Sequence, residues 1–208
     1  MTKGKKKIGQ YVSFNTGAML ALFLTSYTPL FLIIILKQVF SNFDFLNFAG
    51  FSLESVLCLI QKFGLTCVFI PLILFSFIGL KILLANLSEK AEYNGYQAQI
   101  TGVKNQNDQF SNYLVSYIIP IAFLSSDEII DSILILIILY VIYRLYTKSS
   151  MILVNPMLSF LGYHLYECEY VIDKSNETGI LLTDDKTLEE GDSISLYPIG
   201  YKSYYSKK

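Results

Sequence analysis

The stretch Tyr163-His164-Leu165-Tyr166-Glu167-Cys168-Glu169 gathers the chain's one histidine, a thiol and two carboxylates. These are the residue types of metal ligands and proton carriers, and a metal site needs several of them to converge. Their spacing argues against it. Apolar and polar side chains alternate from Tyr163 through Val171, the pattern of a half-buried strand. Successive side chains of a strand point to opposite faces, so Glu167, Cys168 and Glu169 cannot all meet one ion. His164 is then a residue of local packing or hydrogen bonding. The same strand gives its outward side a different use, as a surface on which a partner docks, with Tyr163, His164, Glu167 and Glu169 as the candidates.

No other group of residues carries chemistry. Cys58 and Cys67 sit in apolar sequence, where cysteine behaves as a small hydrophobe, and with Cys168 they form neither a metal spacing nor a disulfide scaffold. Asp184-Asp185 and Glu189-Glu190 read as solvated turns. GxGxxG, Walker, HExxH and nucleophile-elbow motifs are all missing. The expectation is a protein that is not an enzyme and takes no metal or cofactor. A net charge of −1, with no basic run interleaved with aromatics, gives no reason to expect direct nucleic-acid binding.

The elements that position these residues are dominated by apolar runs. Hydrophobic residues make up 53% of the chain and charged ones 16%, fewer charges than a soluble domain carries. Mean hydropathy is +0.46. These values predict a membrane all-α bundle with four transmembrane helices plus a small cytoplasmic β-rich domain. The helices are expected at about 18–36, 64–84, 112–126 and 129–147. The first run, without a charge, would span roughly 28 Å as a helix, close to the hydrocarbon thickness of a bilayer. The upstream VLCLI at 56–60 either begins the second helix outside the bilayer or lies along its surface. Lys81 and Arg144 serve as interface anchors, and Tyr140, Tyr143 and Tyr146 recur around Arg144 as an aromatic belt.

The third run, SNYLVSYIIPIAFLSSDE at 111–128, is short and polar for a span. Pro120 lacks an N–H and kinks any helix it interrupts. Ser116-Tyr117 before Pro120 echoes Ser26-Tyr27 before Pro29 in the first run. One reading makes these residues interhelical hydrogen bonders that favour packing and self-association. The sharper reading pairs two discontinuous helices around a site at mid-depth.

Four crossings place both termini on one side. Lys3, Lys5, Lys6 and Lys7 open the chain, Lys90 and Lys104 lie in the loop 85–111, and Arg144 and Lys148 precede the tail. Positive-inside bias assigns this side to the cytoplasm. A three-crossing arrangement without the short third run would leave the tail outside. The division expected is a transmembrane domain over 1–148, whose loop carries a strand at 96–103, and a β-rich domain over 149–208.

This layout resembles the membrane subunit of the two-gene Kiwa anti-phage defence system. The residues that carry the likeness are Asn107–Pro120, Asn155-Pro156 with Leu158, Gly162, Tyr163 and Tyr166, and Gly191-Asp192. The resemblance implies a homo-oligomeric scaffold of the cell inner membrane, tetrameric by the family, which senses infection at the envelope and recruits a cytoplasmic DNA-binding partner subunit. Two competing classes are a small oligomeric channel or transporter and a toxin-immunity membrane protein.

Overall fold

The computed structural model describes residues 14–46, 50, 52–113, 129–147, 153–172 and 175–208. It divides into a helical unit, Thr16–Leu84 with Asn107–Leu161, and a barrel unit containing Ala85–Gln106 and Gly162–Lys208.

In the helical unit, α1 (Thr16–Ser26) and α2 (Thr28–Ser41) meet at Tyr27, whose φ of −92° and ψ of 3° interrupt the helix. The pair bends by 54° there. Pro29 lies in the first turn of α2, where its missing N–H removes no helical hydrogen bond. Residues Ala21–Ser26 are all buried, so α1 is covered on every side over its last turns. Phe23 packs on Tyr27, Tyr143 and Tyr146, and Phe31 stacks on Phe69 with ring centroids 4.5 Å apart.

The long helix α3 (Leu53–Asn94) approaches α1 closely through small residues. A Cβ built on Gly79 would stand 2.8 Å from the Cβ of Ala21, and Thr25 Oγ1 donates to the Ser76 carbonyl at 3.4 Å. This is the small-residue contact that lets helices pack where water does not drive them together. At Phe63, φ −127° and ψ 21° break the regular course of α3. The break is clamped by two side chains a helical turn apart, Gln38 of α2 and its C-cap residue Asn42. Gln38 Oε1 accepts from the Thr66 backbone N–H at 3.0 Å and from its hydroxyl at 2.9 Å. Asn42 Nδ2 donates to the Lys62 carbonyl at 3.3 Å. One side chain thus serves a donor beyond the break and the other an acceptor before it, as buried backbone groups require.

Three further helices of this unit are described: α4 (Asp108–Tyr113), the 18-residue α5 (Ile129–Tyr146) and α6 (Pro156–Phe160). The buried Asn155 caps α6 by accepting from the Met157 N–H at 2.9 Å. Its amide also donates to the Leu22 carbonyl of α1 at 3.1 Å, so one side chain both starts α6 and ties it to α1.

The barrel unit contains β1 (Tyr96–Asn105), β2 (His164–Ile172), β3 (Ser175–Thr183), β4 (Ser193–Gly200) and β5 (Ser203–Ser206). They close in the order β1-β2-β3-β5-β4. All pairings are antiparallel except β3 with β5. β1 pairs first with β4, over Tyr96–Gln99, and then with β2, over Gln99–Asn105, with an irregularity between Ile100 and Gly102. Such a shift bends a strand and increases its twist, which helps a small sheet to close. The interior is filled by Ala98, Ile100, Tyr166, Cys168, Tyr170, Leu181, Leu196 and Tyr204. The final turns of α3, from Ala85 on, belong to this unit and fit closely against its strands. Ser88 shares a 3.0 Å hydrogen bond with the Tyr205 hydroxyl, Ser195 Oγ donates to the Ala91 carbonyl at 3.1 Å, and a Cβ on Gly95 would collide with Ser195 Oγ.

The expected membrane all-α bundle with four transmembrane helices is overturned. Among the described residues only α3 is long and apolar enough to cross a membrane by itself, and the bent α1–α2 pair passes as a second only if taken as one broken span. The third expected span, 112–126, lies outside the described residues from 114 onward, and with it Ser116, Tyr117 and Pro120. The miscount has a physical source. Hydropathy sums apolar side chains along the chain, and neither a 54° bend nor intrachain burial changes that sum. The β structure is a closed barrel whose first strand comes from the loop before the tail.

Candidate functional site

The outward face of β2 is set by the parity of the strand. Cys168 and Tyr170 point into the barrel core, and Glu167 and Glu169 are exposed on the opposite side. Glu167 stands across from Lys104 of β1 and Ile180 of β3, and Glu169 across from Gly102 and Thr178. Gln106 Nε2 donates to Glu167 Oε2 at 2.8 Å. Along β1 the exposed residues Gln97, Gln99, Thr101 and Lys104 extend a polar surface with little apolar content.

The docking candidates therefore separate. Glu167 and Glu169 are brought together, whereas His164 falls on the other face, its ring centroid 6.3 Å from that of Tyr166. Tyr163 packs near Tyr205, at 6.4 Å between ring centroids, and burial raises its hydroxyl pKa above the ordinary tyrosine value, with Tyr205 adding to the effect. Cys168 is a core thiol, its pKa pushed up to about 12 chiefly by burial and then by Glu167. A thiol held neutral in this way is a poor nucleophile and a poor ligand. Among the described residues no three His, Cys, Asp or Glu side chains converge as a metal would require.

Closure also removes one mode of docking. An unpaired edge at Tyr163–Val171 would accept an added strand from a partner. β2 is instead hydrogen-bonded to β1 on one side and β3 on the other. A partner at this surface meets side chains, not free backbone.

The remaining predicted residues lie in the helical unit. Ser26 and Tyr27 are wholly covered by their own chain, and Pro29 is half-buried. Lys81, Tyr140 and Arg144 are exposed, Tyr143 is half-buried, and Tyr146 is 5% exposed against Phe23. Sequence reasoning missed the Gln38–Asn42 clamp and the tie from Asn155. A glutamine and an asparagine a turn apart at the end of an apolar helix were the signal for the first. Asn-Pro before Met157 and Leu158 was a capping signal for α6, but its bond to Leu22 depends on tertiary contact.

The family model described as "Anti-phage protein KwaA" matches residues 18–205. A curated relative, "Kiwa protein KwaA" of Escherichia coli O55:H7 (strain RM12579 / EPEC), is 25% identical over 183 residues. That match covers 86% of this chain and 90% of the relative. No solved structure matches.

Proposed function

This chain belongs to the KwaA family of anti-phage proteins, and from that membership we propose that it is the non-enzymatic membrane component of a Kiwa defence complex. In this reading α3 crosses the cell inner membrane and the barrel faces the cytoplasm. The outer faces of β1 and β2, with Lys104, Glu167 and Glu169, dock a cytoplasmic partner subunit that binds DNA.

The observation that carries the proposal is the pairing of β1 with both β2 and β4. A barrel cannot close across a bilayer, so in this reading residues 96–105 and 164–206 share one side and the chain between them crosses an even number of times. The single crossing that a three-span topology needs would separate β1 from β2. The Lys and Arg residues near these segments favour the cytoplasmic side. A polar, closed surface there suits recognition by a soluble partner through charge and side-chain hydrogen bonds. Self-association belongs to the same reading, four-fold by the family likeness, and native mass spectrometry in mild detergent tests it.

The direct test is Glu167→Lys with Glu169→Lys in the full chain. Both side chains project from the barrel, so membrane insertion and thermal stability are expected to hold while partner co-purification and protection from phage are lost. Full protection by the double variant would refute docking at this face.

A further inference from the structure

In the barrel unit a cavity of about 430 Å³ is lined by Ser88, Ala91 and Glu92 of α3, Gln97 of β1, Ser195 of β4, and Lys207 and Lys208. Its walls are held in place. Ser88 is hydrogen-bonded to Tyr205, and Ser195 is hydrogen-bonded to the Ala91 carbonyl. The volume lies in the range of sites for small polar ligands. The lining, four polar or charged side chains besides the two lysines, excludes a purely apolar occupant.

The charges select further. Lys208 Nζ is already bound to Asp185 Oδ1 at 2.9 Å and lies 3.4 Å from Thr187 Oγ1. Exposed Lys207 and exposed Glu92 remain, one of each sign on the same cavity. A simple anion meets the Glu92 carboxylate, and a simple cation meets two lysines. A ligand that carries both signs satisfies both: a phosphate ester toward Lys207 and the Gln97 amide, and a primary ammonium toward Glu92.

Connectivity indicates where such a ligand comes from. Ser88 follows Leu84, the end of the apolar stretch of α3, by a single helical turn. If α3 spans the bilayer, the cavity is within reach of the lipid headgroups. We propose that this cavity binds the phosphoethanolamine headgroup of a zwitterionic phospholipid, an inference that rests on the membrane reading of α3. Three ammonium N–H donors can serve Glu92, whereas the methyl groups of choline cannot donate to it.

The test uses the full chain in mild detergent, titrated with phosphatidylethanolamine, phosphatidylcholine, phosphatidylglycerol and soluble glycerophosphoethanolamine, with bound lipid read by native mass spectrometry. Phosphatidylethanolamine should bind about tenfold tighter than phosphatidylcholine. Glu92→Gln should abolish that preference without weakening phosphatidylglycerol, and Lys207→Gln should weaken all three lipids. Equal binding of the two zwitterionic lipids, or a preference that Glu92→Gln leaves unchanged, would overturn the proposal. Glycerophosphoethanolamine binding as tightly as the lipid would overturn the lipid assignment and make the cavity a site for the free phosphoester. Carbonate extraction of membranes separates the two levels. A chain released by carbonate refutes the membrane reading and the proposal with it, whereas a retained chain without headgroup preference refutes the proposal alone.

Discussion

The two units distribute polarity in opposite ways. In the barrel unit the large apolar side chains left exposed among the described residues are Tyr93 and Tyr201, each with a hydroxyl to offer water. In the helical unit Leu32, Leu36, Leu74, Phe75, Ile78, Ile133 and Ile137 are all exposed, while Thr25, Ser26, Gln38, Thr66, Ser76 and Asn155 are buried. A protein in water gains by hiding apolar surface, roughly 25 cal/mol per Å². That gain disappears in hydrocarbon, where the cost falls on unpaired polar groups and burial therefore selects them. Of these buried side chains, Thr25 is bonded to the backbone of Ala21, Gln38 to that of Thr66, and Asn155 to those of Leu22 and Met157, whereas the Ser26 hydroxyl is buried without a hydrogen-bond partner among the described residues. The barrel unit hides its large apolar side chains and the helical unit exposes many of them, a contrast that supports the proposed membrane reading of α3.

Matched truncations test this most severely. Ile100 is 1% exposed in the barrel core and Leu74 is 62% exposed on α3. Ile100→Ala should cost the barrel about 2–5 kcal/mol, and Leu74→Ala should leave its melting unchanged. Cys168 supplies the readout, because a thiol buried and held neutral becomes reactive only when the barrel opens. In a Cys58→Ala, Cys67→Ala background, a thiol-reactive dye should report a lower melting temperature for Ile100→Ala. Equal melting of the two variants would break the comparison.

The polar interior of the helical unit gives the next effect. Gln38→Leu keeps the side-chain bulk but leaves the Thr66 N–H and hydroxyl without their acceptor. A buried donor stranded in this way costs about 1–3 kcal/mol. Reduced resistance of α3 to proteolysis near Phe63 is the expected result, and Gln38→Glu, which still accepts, should behave closer to the parent. If Gln38→Leu matches the parent, the clamp contributes no stability to the break.

How much of this was legible in the sequence follows from the same contrast. Alternation from Tyr163 to Val171 marks a strand because solvent faces one side of it, and Glu167 and Glu169 could be placed together on that side. Parity also removes His164 from them, a consequence that grouping residues by polarity overlooked. At Leu181-Leu182-Thr183 and Tyr204-Tyr205 alternation fails because consecutive residues are buried, with α3 touching one side through Ser88 and Tyr205. The parallel pairing of the short β5 with β3 depends on contacts far apart in the chain and leaves no local period. In the helical unit Ser26-Tyr27-Thr28-Pro29 carries the signal for a bend. Composition gives no means of deciding whether a bent apolar run is one span or two packed helices.

The smallest effect is electrostatic and belongs to the barrel surface. The Asp185 carboxyl lies below its usual range, first because Lys208 donates to it and then because the Thr187 N–H does. A carboxylate whose pKa is lowered by folding adds stability above the ordinary carboxyl value of about 4 and loses that contribution as pH falls through the folded value. Asp185→Asn should therefore lower the melting temperature slightly at neutral pH, with the difference vanishing in strong acid. Exposed pairs are weak and screened by salt. A large effect at neutral pH would mean that this surface pair carries more than its exposure allows.

The position of β1 also orders events during synthesis. It leaves the ribosome directly after α3, but its partners Val171 and Leu196 are encoded far downstream. At bacterial elongation rates of about 5–20 residues per second, β1 waits for several seconds before β2 and β4 are available. Barrel closure then brings the two ends of the intervening sequence, Asn105 and His164, into neighbouring strands. For that interval the unpaired β1 is the part of the nascent chain most open to a wrong partner.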